Sequence, residues 1–401
     1  MLPPEIMVTI EQVGPHPEGG DQYLAVTARS SGAEICRHTF RFQPDLLIDI
    51  EPQWMLEKAV PRHHGETIKR GPADAGRLDE QERKLATYGH RLYSFLFGDG
   101  ERLKAFLEFN DSYRQQARLT LALHGNAVAL WRLPWEYLHD GHDFLVLHGR
   151  FLLSRVPHGL GQLQPPPAPL PLRILVVIAA PDDQKPLDTE EEIGVIQTAL
   201  DEAVRTGRVR VEYLDDATLP AIGEALRRFQ PHVLHYTGHG FYDHEKERSF
   251  LALEDDSGKT RNAGIKELRP HLKDARDLRL VLLSGCQTAR TSDVDAFSGV
   301  ATGLLQENIP AVLAMQYSIL DQSGIQLAEA FYAALAQGEA PAQAAQRARL
   351  ALWQFDEGPG YDWGVPALYL RAQGMRLIDP TQTSDPSFAQ TRLRVIESEI
   401  K

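Results

Sequence analysis

Val233-Leu234-His235-Tyr236-Thr237-Gly238-His239-Gly240 is an apolar run that breaks into a glycine-bounded turn, and Leu280-Val281-Leu282-Leu283-Ser284-Gly285-Cys286 repeats the pattern. Short continuous apolar runs ended by glycine read as strands of a parallel sheet covered on both faces. In open α/β sheets the crevice that holds chemistry lies beyond the carboxyl ends of the strands. The two runs therefore deliver an imidazole, His239, and a thiol, Cys286, to one sheet edge as a candidate base and nucleophile.

Outward from these runs the pattern is strand, helix, strand. Arg173 to Ala180 is another continuous apolar run, and Thr189-Glu190-Glu191-Glu192 has the form of a capping box opening a helix to about Arg205. Arg208–Leu214 reads as a strand and Pro220–Phe229 as a helix. Phe250–Leu253 followed by Asp255-Asp256-Ser257-Gly258 reads as a hairpin inserted after the histidine turn, with the two aspartates in its turn and without a metal role. A helix over 296–306, a strand at Ala311–Met315 and two alanine-rich helices, 323–336 and 341–355, complete the layer. Strands alternating with helices predict an α/β, doubly wound, mostly parallel sheet over 172–378.

Upstream the grammar differs. Ile6–Ile10, Tyr23–Val26 and Cys36–Phe42 alternate as strands of a small β unit. Leu85, Tyr88, Leu92, Phe95 and Leu96 recur at helical spacing, and strands follow at Ala117–Leu123 and Phe151–Leu153. Residues 1–163 thus form an N-terminal α+β domain. The proline-rich stretch 164–171 is a stiff, extended connector. Residues 379–401 are a polar tail or the start of a further domain, with a helix expected over 388–401.

The chain has 401 residues, 43% hydrophobic and 24% charged, with a formal net charge of −13. The acidic balance disfavours nucleic acid and anionic membranes as partners. No apolar stretch reaches the roughly 20 residues needed to span a bilayer, and no signal peptide is visible. Two cysteines rule out a disulfide framework and fit a reducing, cytoplasmic location. No cofactor fingerprint or zinc-type ligand spacing is present.

A thiol attacks a carbonyl as thiolate, so a catalytic cysteine needs a neighbouring base and donors aimed at the oxyanion that forms. Gly240 leaves its N–H open to a substrate, the N–H of Cys286 is a second donor, and Gly285 lets the chain turn with the thiol uncovered. The bland alternative is that Cys286 is an inert core residue. His235, inside its strand, reads as a packed or hydrogen-bonded core histidine. Trp131 and Trp135 read as packing residues. Asp293 and Asp295 are read as solvated or capping groups, with orientation of His239 or substrate contact as their alternative. Ser284 lacks the Gly-x-Ser-x-Gly elbow of a hydrolase nucleophile.

Tyr236–Gly240, Val281–Ala289, Ala314–Asp321, Phe331-Tyr332 and Asp362–Tyr369 together resemble the CHAT-domain cysteine peptidases, a bacterial, caspase-like family also similar to separase. His239 precedes Cys286 by 47 positions, near the roughly 50 of the caspase pattern. Trp131–Glu136 with Asp140 and Phe144-Leu145 resembles a segment found upstream in the same family, implying an inactive, pseudo-protease structural half. The resemblance implies a caspase-like fold, Cys286 as nucleophile, His239 as base, and Gly240 and Cys286 as the oxyanion hole. Gln316, where many relatives carry tryptophan, and Ser284 fall in the substrate cleft. Asp321 resembles an acidic residue of separase's first specificity pocket, which implies arginine or lysine before the scissile bond. Its alternative role is a helix N-cap.

The expected function is a regulated cysteine endopeptidase of a bacterial signalling or defence system. Its partners would be a protein or peptide substrate and a regulatory or sensor protein, and it would use no cofactor or metal. The alternative is a catalytically silent, caspase-like binding or signalling module. A small-molecule hydrolase or nucleotide-binding protein is disfavoured because Pro181-Asp182-Asp183, and no glycine loop, follows Ala180.

Overall fold

The computed structural model describes residues 5–29, 31–44, 47, 72–101, 116–147, 149, 151–184, 189–243, 245–246, 248–285, 294–316, 321–354, 361–372, 374–383 and 394–395. The chain divides into two compact units, Met1–Leu160 with Asp356–Gly364, and Gly161–Phe355 with Val365–Lys401.

In the first unit, β1 (Glu5–Pro15), β2 (Asp21–Arg29), β3 (Glu34–Phe42), β4 (Ala117–Leu123) and β5 (Phe151–Pro157) follow the order β5-β4-β1-β2-β3. β5, β4 and β1 run parallel, and β2 and β3 continue the sheet antiparallel. β4 is buried at every position, as a strand covered on both faces must be. Helix α1 (Pro72–Phe97) lays Phe95 against Phe40, ring centroids 5.2 Å apart and stacked, and edge-on to Phe42. The tryptophan segment forms the short helix α2 (Val128–Trp131) and a 3-10 turn, Trp135–Tyr137. Trp135 is buried and its indole N–H donates to Leu130 O. Glu136 forms a fully buried ion pair with Arg155, whose guanidinium also donates to Trp131 O.

In the second unit the sheet order is β17-β8-β7-β9-β13-β14-β15. The strands are β7 (Leu172–Ile178), β8 (Val209–Leu214), β9 (Val233–Gly238), β13 (Leu280–Gly285), β14 (Ala311–Met315), β15 (Pro366–Leu370) and β17 (Arg394–Val395). All neighbours are parallel except β14 and β15. Strand order reverses between β7 and β9, which makes the sheet doubly wound as expected. Helices α3 (Thr189–Arg205), α7 (Asp321–Ala336) and α8 (Pro341–Gln354) pack together on one face. Helices α4 (Leu219–Phe229), α5 (Ile265–Leu272) and α6 (Val294–Gln306) cover the other.

α4 shows why these segments are helical. Thr218 caps it by accepting from Ala221 N, and Pro220 occupies its first turn. Leu219, Ile222, Ala225, Leu226 and Phe229 form its buried face. Gln230 ends it in a left-handed conformation, φ 47°.

Three segments differ from expectation. The proline-rich stretch is not a bare connector: β6 (Ala168–Leu170) pairs with β16 (Ile378–Thr383), because prolines are tolerated in a two-stranded edge pairing. α5 is a helix the pattern hides, since it carries Pro270 and buries only Leu268 and Leu272; Glu267 secures its first turn by accepting from Gly264 N. Arg394–Val395, within the tail expected to be helical, is a strand on the free edge of β8. The side chains of the Thr189 capping box lie outside the described residues. Within the described residues, no helix is long and apolar enough to cross a membrane.

His235 is buried, with Nδ1 3.0 Å from the Tyr332 hydroxyl of α7, and burial pushes its pKa down to about 3. In the unfolded chain it titrates near 6.5, so below that pH the unfolded state binds the extra proton. The stability His235 contributes is complete above pH 6.5 and is lost on acidification toward pH 3. Urea unfolding between about pH 5 and 6.5 should show a slope that His235→Gln reduces by up to about 1.4 kcal/mol per pH unit. An unchanged slope would mean His235 is protonated in the fold.

Candidate active site

β9 and β13 are in register: Thr237 pairs with Ser284 and Gly238 with Gly285. These two glycines immediately precede His239 and Cys286 in the chain. β14 lies on the other side of β13 and ends at Met315, directly before Gln316. Three parallel strands thus bring His239, Ser284 and Gln316 to one carboxyl edge. Cys286 itself, residues 287–293 and 317–320, and the side chains of Asp295 and Asp321 lie outside the described residues. Asp321 is the first residue of α7.

His239 is held through its backbone. Its carbonyl accepts from Ala252 N at 2.9 Å, and the Tyr236 hydroxyl lies 2.8 Å from that oxygen and 3.0 Å from Ala252 O. Burial pushes the Tyr236 phenol well above its usual pKa, so it stays a neutral donor. Ala252 belongs to β11 (Arg248–Glu254), the middle strand of a small antiparallel sheet with β10 (Gly240–Asp243) and β12 (Thr260–Ala263). Gly240 opens β10 and pairs with Leu251. Glu254 ties the end of β11 back to the main sheet: its carboxylate accepts from Ala180 N and its own N–H donates to Ala217 O. Burial raises its pKa above the usual carboxylate range.

The hairpin is also fastened to α6, the helix that follows the Cys286 segment. A Cβ on Gly299 would lie 2.0 Å from Ser249 Oγ of β11, and one on Gly303 would lie 2.3 Å from Ile265 of α5. Only hydrogen at these two positions lets α6 approach so closely.

Gln316 is 5% exposed and folds onto its own neighbourhood, with its backbone N–H donating to Val365 O at 3.1 Å and its amide reaching the same oxygen at 3.4 Å. Ser284 is half-buried beside Thr237. His235 lies apart from this edge, on Tyr332. Among the described residues no group of three or more His, Cys, Asp or Glu side chains could hold a metal ion. Tyr236 and Gly299 were not anticipated from sequence. Tyr236 reads as apolar filler within its run, and its hydroxyl was the sole signal that it needs a partner.

Gly238 has no room for a side chain: a Cβ would sit 2.5 Å from Tyr236 Oη and 3.0 Å from Ala179 O. Gly238→Ala should lower the unfolding free energy by about 1–3 kcal/mol. Adding Tyr236→Leu, which removes both the hydroxyl and the ring Cζ that would lie 2.8 Å away, should relieve the clash on that side, so the double variant should be more stable than the sum of the two single effects. Additive losses in urea titrations would refute the clash.

The CHAT domain family matches residues 87–373, from within α1 to just beyond β15. No curated protein matches significantly. Among solved structures, the chain is similar to separase in the Saccharomyces cerevisiae separase–securin complex, at 12% identity and a TM-score of 0.43, covering 91% of this chain and 30% of that one. It is also similar to a secreted C11 cysteine protease from Bacteroides thetaiotaomicron in complex with an irreversible peptide inhibitor, at 12% identity and a TM-score of 0.30, covering 45% and 58% respectively. By the extent of the family match, which includes the strands bearing the histidine and cysteine turns, this chain belongs to the CHAT domain family.

Proposed function

We propose that this protein is a cysteine endopeptidase that uses His239 as base and Cys286 as nucleophile. The observation that carries this reading is the register of β9 with β13, in which the glycines preceding those two residues are paired. Membership of the CHAT family supports it independently. His239 takes the thiol proton, and the thiolate adds to the scissile carbonyl carbon. The oxyanion is held by the N–H groups of Gly240 and Cys286. As the C–N bond breaks, His239 returns the proton to the leaving amine, and water then hydrolyses the thioester. Asp321, at the start of α7, is the proposed partner of an arginine or lysine before the scissile bond, and Ser284 and Gln316 line the approach. A regulatory or sensor protein controlling a cytoplasmic, bacterial enzyme completes the proposal.

Cys286→Ala and His239→Ala should each lower kcat/KM on a cleaved peptide by about 10⁴-fold or more, with no further loss in the double variant. Cys36→Ser should leave activity unchanged. Among matched arginyl, lysyl, aspartyl and leucyl peptides the basic ones should be cut fastest. Asp321→Asn should reduce that preference by about 10- to 100-fold. Preference for leucyl or aspartyl peptides would remove the pocket while leaving the dyad, and full activity in Cys286→Ala would remove the enzyme.

A second reading, a silent binding or signalling module, is favoured by one observation: His239 is only 6% exposed. Iodoacetamide labelling separates the two. A base-activated Cys286 should alkylate far faster than the buried Cys36 near neutral pH. Equally slow labelling of both thiols supports the silent module.

A further inference from the structure

The amino ends of β7, β9 and β13 carry a cluster that the proposed chemistry does not use. Arg173 is the second residue of β7, His232 precedes β9 and Arg279 precedes β13. The backbone interleaves them: His232 N donates to Arg173 O, and His232 O accepts from both Arg279 N and Leu280 N. Arg173 N donates to His232 Nδ1 at 3.1 Å. That bond requires a lone pair on Nδ1, so the ring proton of this neutral histidine is on Nε2.

Two donors of the cluster have no acceptor among the described residues. His232 Nε2 and Arg279 Nε are both buried without a hydrogen-bond partner, in residues 0% and 8% exposed. The charges are unbalanced as well. Asp277 gives its carboxylate to Arg173 at 2.6 Å. Among the described residues Arg279 donates to neutral oxygens, Asp277 O at 3.1 Å and Pro166 O at 2.9 Å. Asp277 also acts on Arg279 through space, so one carboxylate serves two guanidiniums, and the buried surplus of positive charge is costly even with carbonyl dipoles offsetting part of it.

We propose that Arg279 and His232, with Arg173 beside them, form a binding site for a small monovalent anion of halide size at the amino edge of the sheet. The anion accepts from Arg279 Nε–H and His232 Nε2–H and balances the positive charge left over when Asp277 is shared between two arginines. A water molecule would satisfy the two donors but not the charge. Phosphate suits the cluster less well, since it brings more charge and more oxygens than two buried donors can satisfy. Pro166, bonded to Arg279 through its carbonyl, brings the proline-rich stretch to the same guanidinium. The site lies at the opposite end of β7, β9 and β13 from His239, and it does not depend on the proposed peptidase activity.

The test is thermal unfolding of the full chain as sodium gluconate is replaced by chloride or bromide at constant ionic strength, which holds screening fixed. The midpoint should rise and saturate with halide, as a bound ligand requires. Sulfate and phosphate, which strengthen burial without a site, should act without saturation. Arg279→Met should lose the halide increment entirely while remaining folded in gluconate. Should that variant not fold, crystals of the unaltered protein grown in bromide should show anomalous density within hydrogen-bond reach of His232 Nε2 and Arg279 Nε. A midpoint indifferent to halide, an increment retained in Arg279→Met, or a water without anomalous signal at that position would each overturn the proposal.

Discussion

The parallel pairing of β9 with β13 is the constraint on which the second unit's site depends. Parallel neighbours leave the sheet in the same direction, so whatever follows each strand emerges at the same edge. Pairing Gly238 with Gly285 makes the two exits level. A slip of one residue would turn every side chain of β9 to the opposite face. The faces are not interchangeable. His235 points to the α7 side and bonds Tyr332. Tyr236 points to the other side, where it lines a small apolar cavity of about 30 Å³ with Ile222, Leu226 and Leu268, and its hydroxyl holds the carbonyl of His239.

Small residues extend this constraint beyond the strands. Gly238 admits the Tyr236 hydroxyl, and Gly299 admits Ser249. Through that second contact the hairpin following His239 and the helix following the Cys286 segment are packed on one another. Glu254 then fastens the same hairpin to the exits of β7 and β8. The histidine turn is therefore held by its backbone at several points, and side-chain packing holds the backbone. Positioning of this kind suits a base that must meet a nucleophile within hydrogen-bond reach.

The two ends of the central strands have opposite character. The carboxyl edge presents His239, Ser284 and Gln316 beside the backbone of a hairpin. The amino edge gathers Arg173, Arg279 and His232 around one carboxylate, Asp277. At His232, burial and the two arginines together push the imidazole pKa down to about 3. Burial and that surplus keep the ring neutral, and the Arg173 N–H on Nδ1 fixes its tautomer with the proton on Nε2.

The sequence by itself determined the doubly wound strand–helix alternation, the strands that break at the glycine turns before His239 and Cys286, and the core role of His235. These are local properties: apolar runs bounded by glycine, helical periodicity and caps act over a few neighbouring residues and can be read in order along the chain. It missed α5, whose proline and thin apolar face obscure its period, and the strand at Arg394–Val395, which has meaning only against the free edge of β8. Tertiary structure alone decided that Tyr236 would hold His239, that Gln316 would fold onto Val365, and that Arg279 would be buried against neutral carbonyls. Each depends on partners between 3 and 113 positions away in the chain. A hydroxyl, an amide or a guanidinium acquires its partner only when the backbone closes around it, and no pattern along the sequence records which partner that will be.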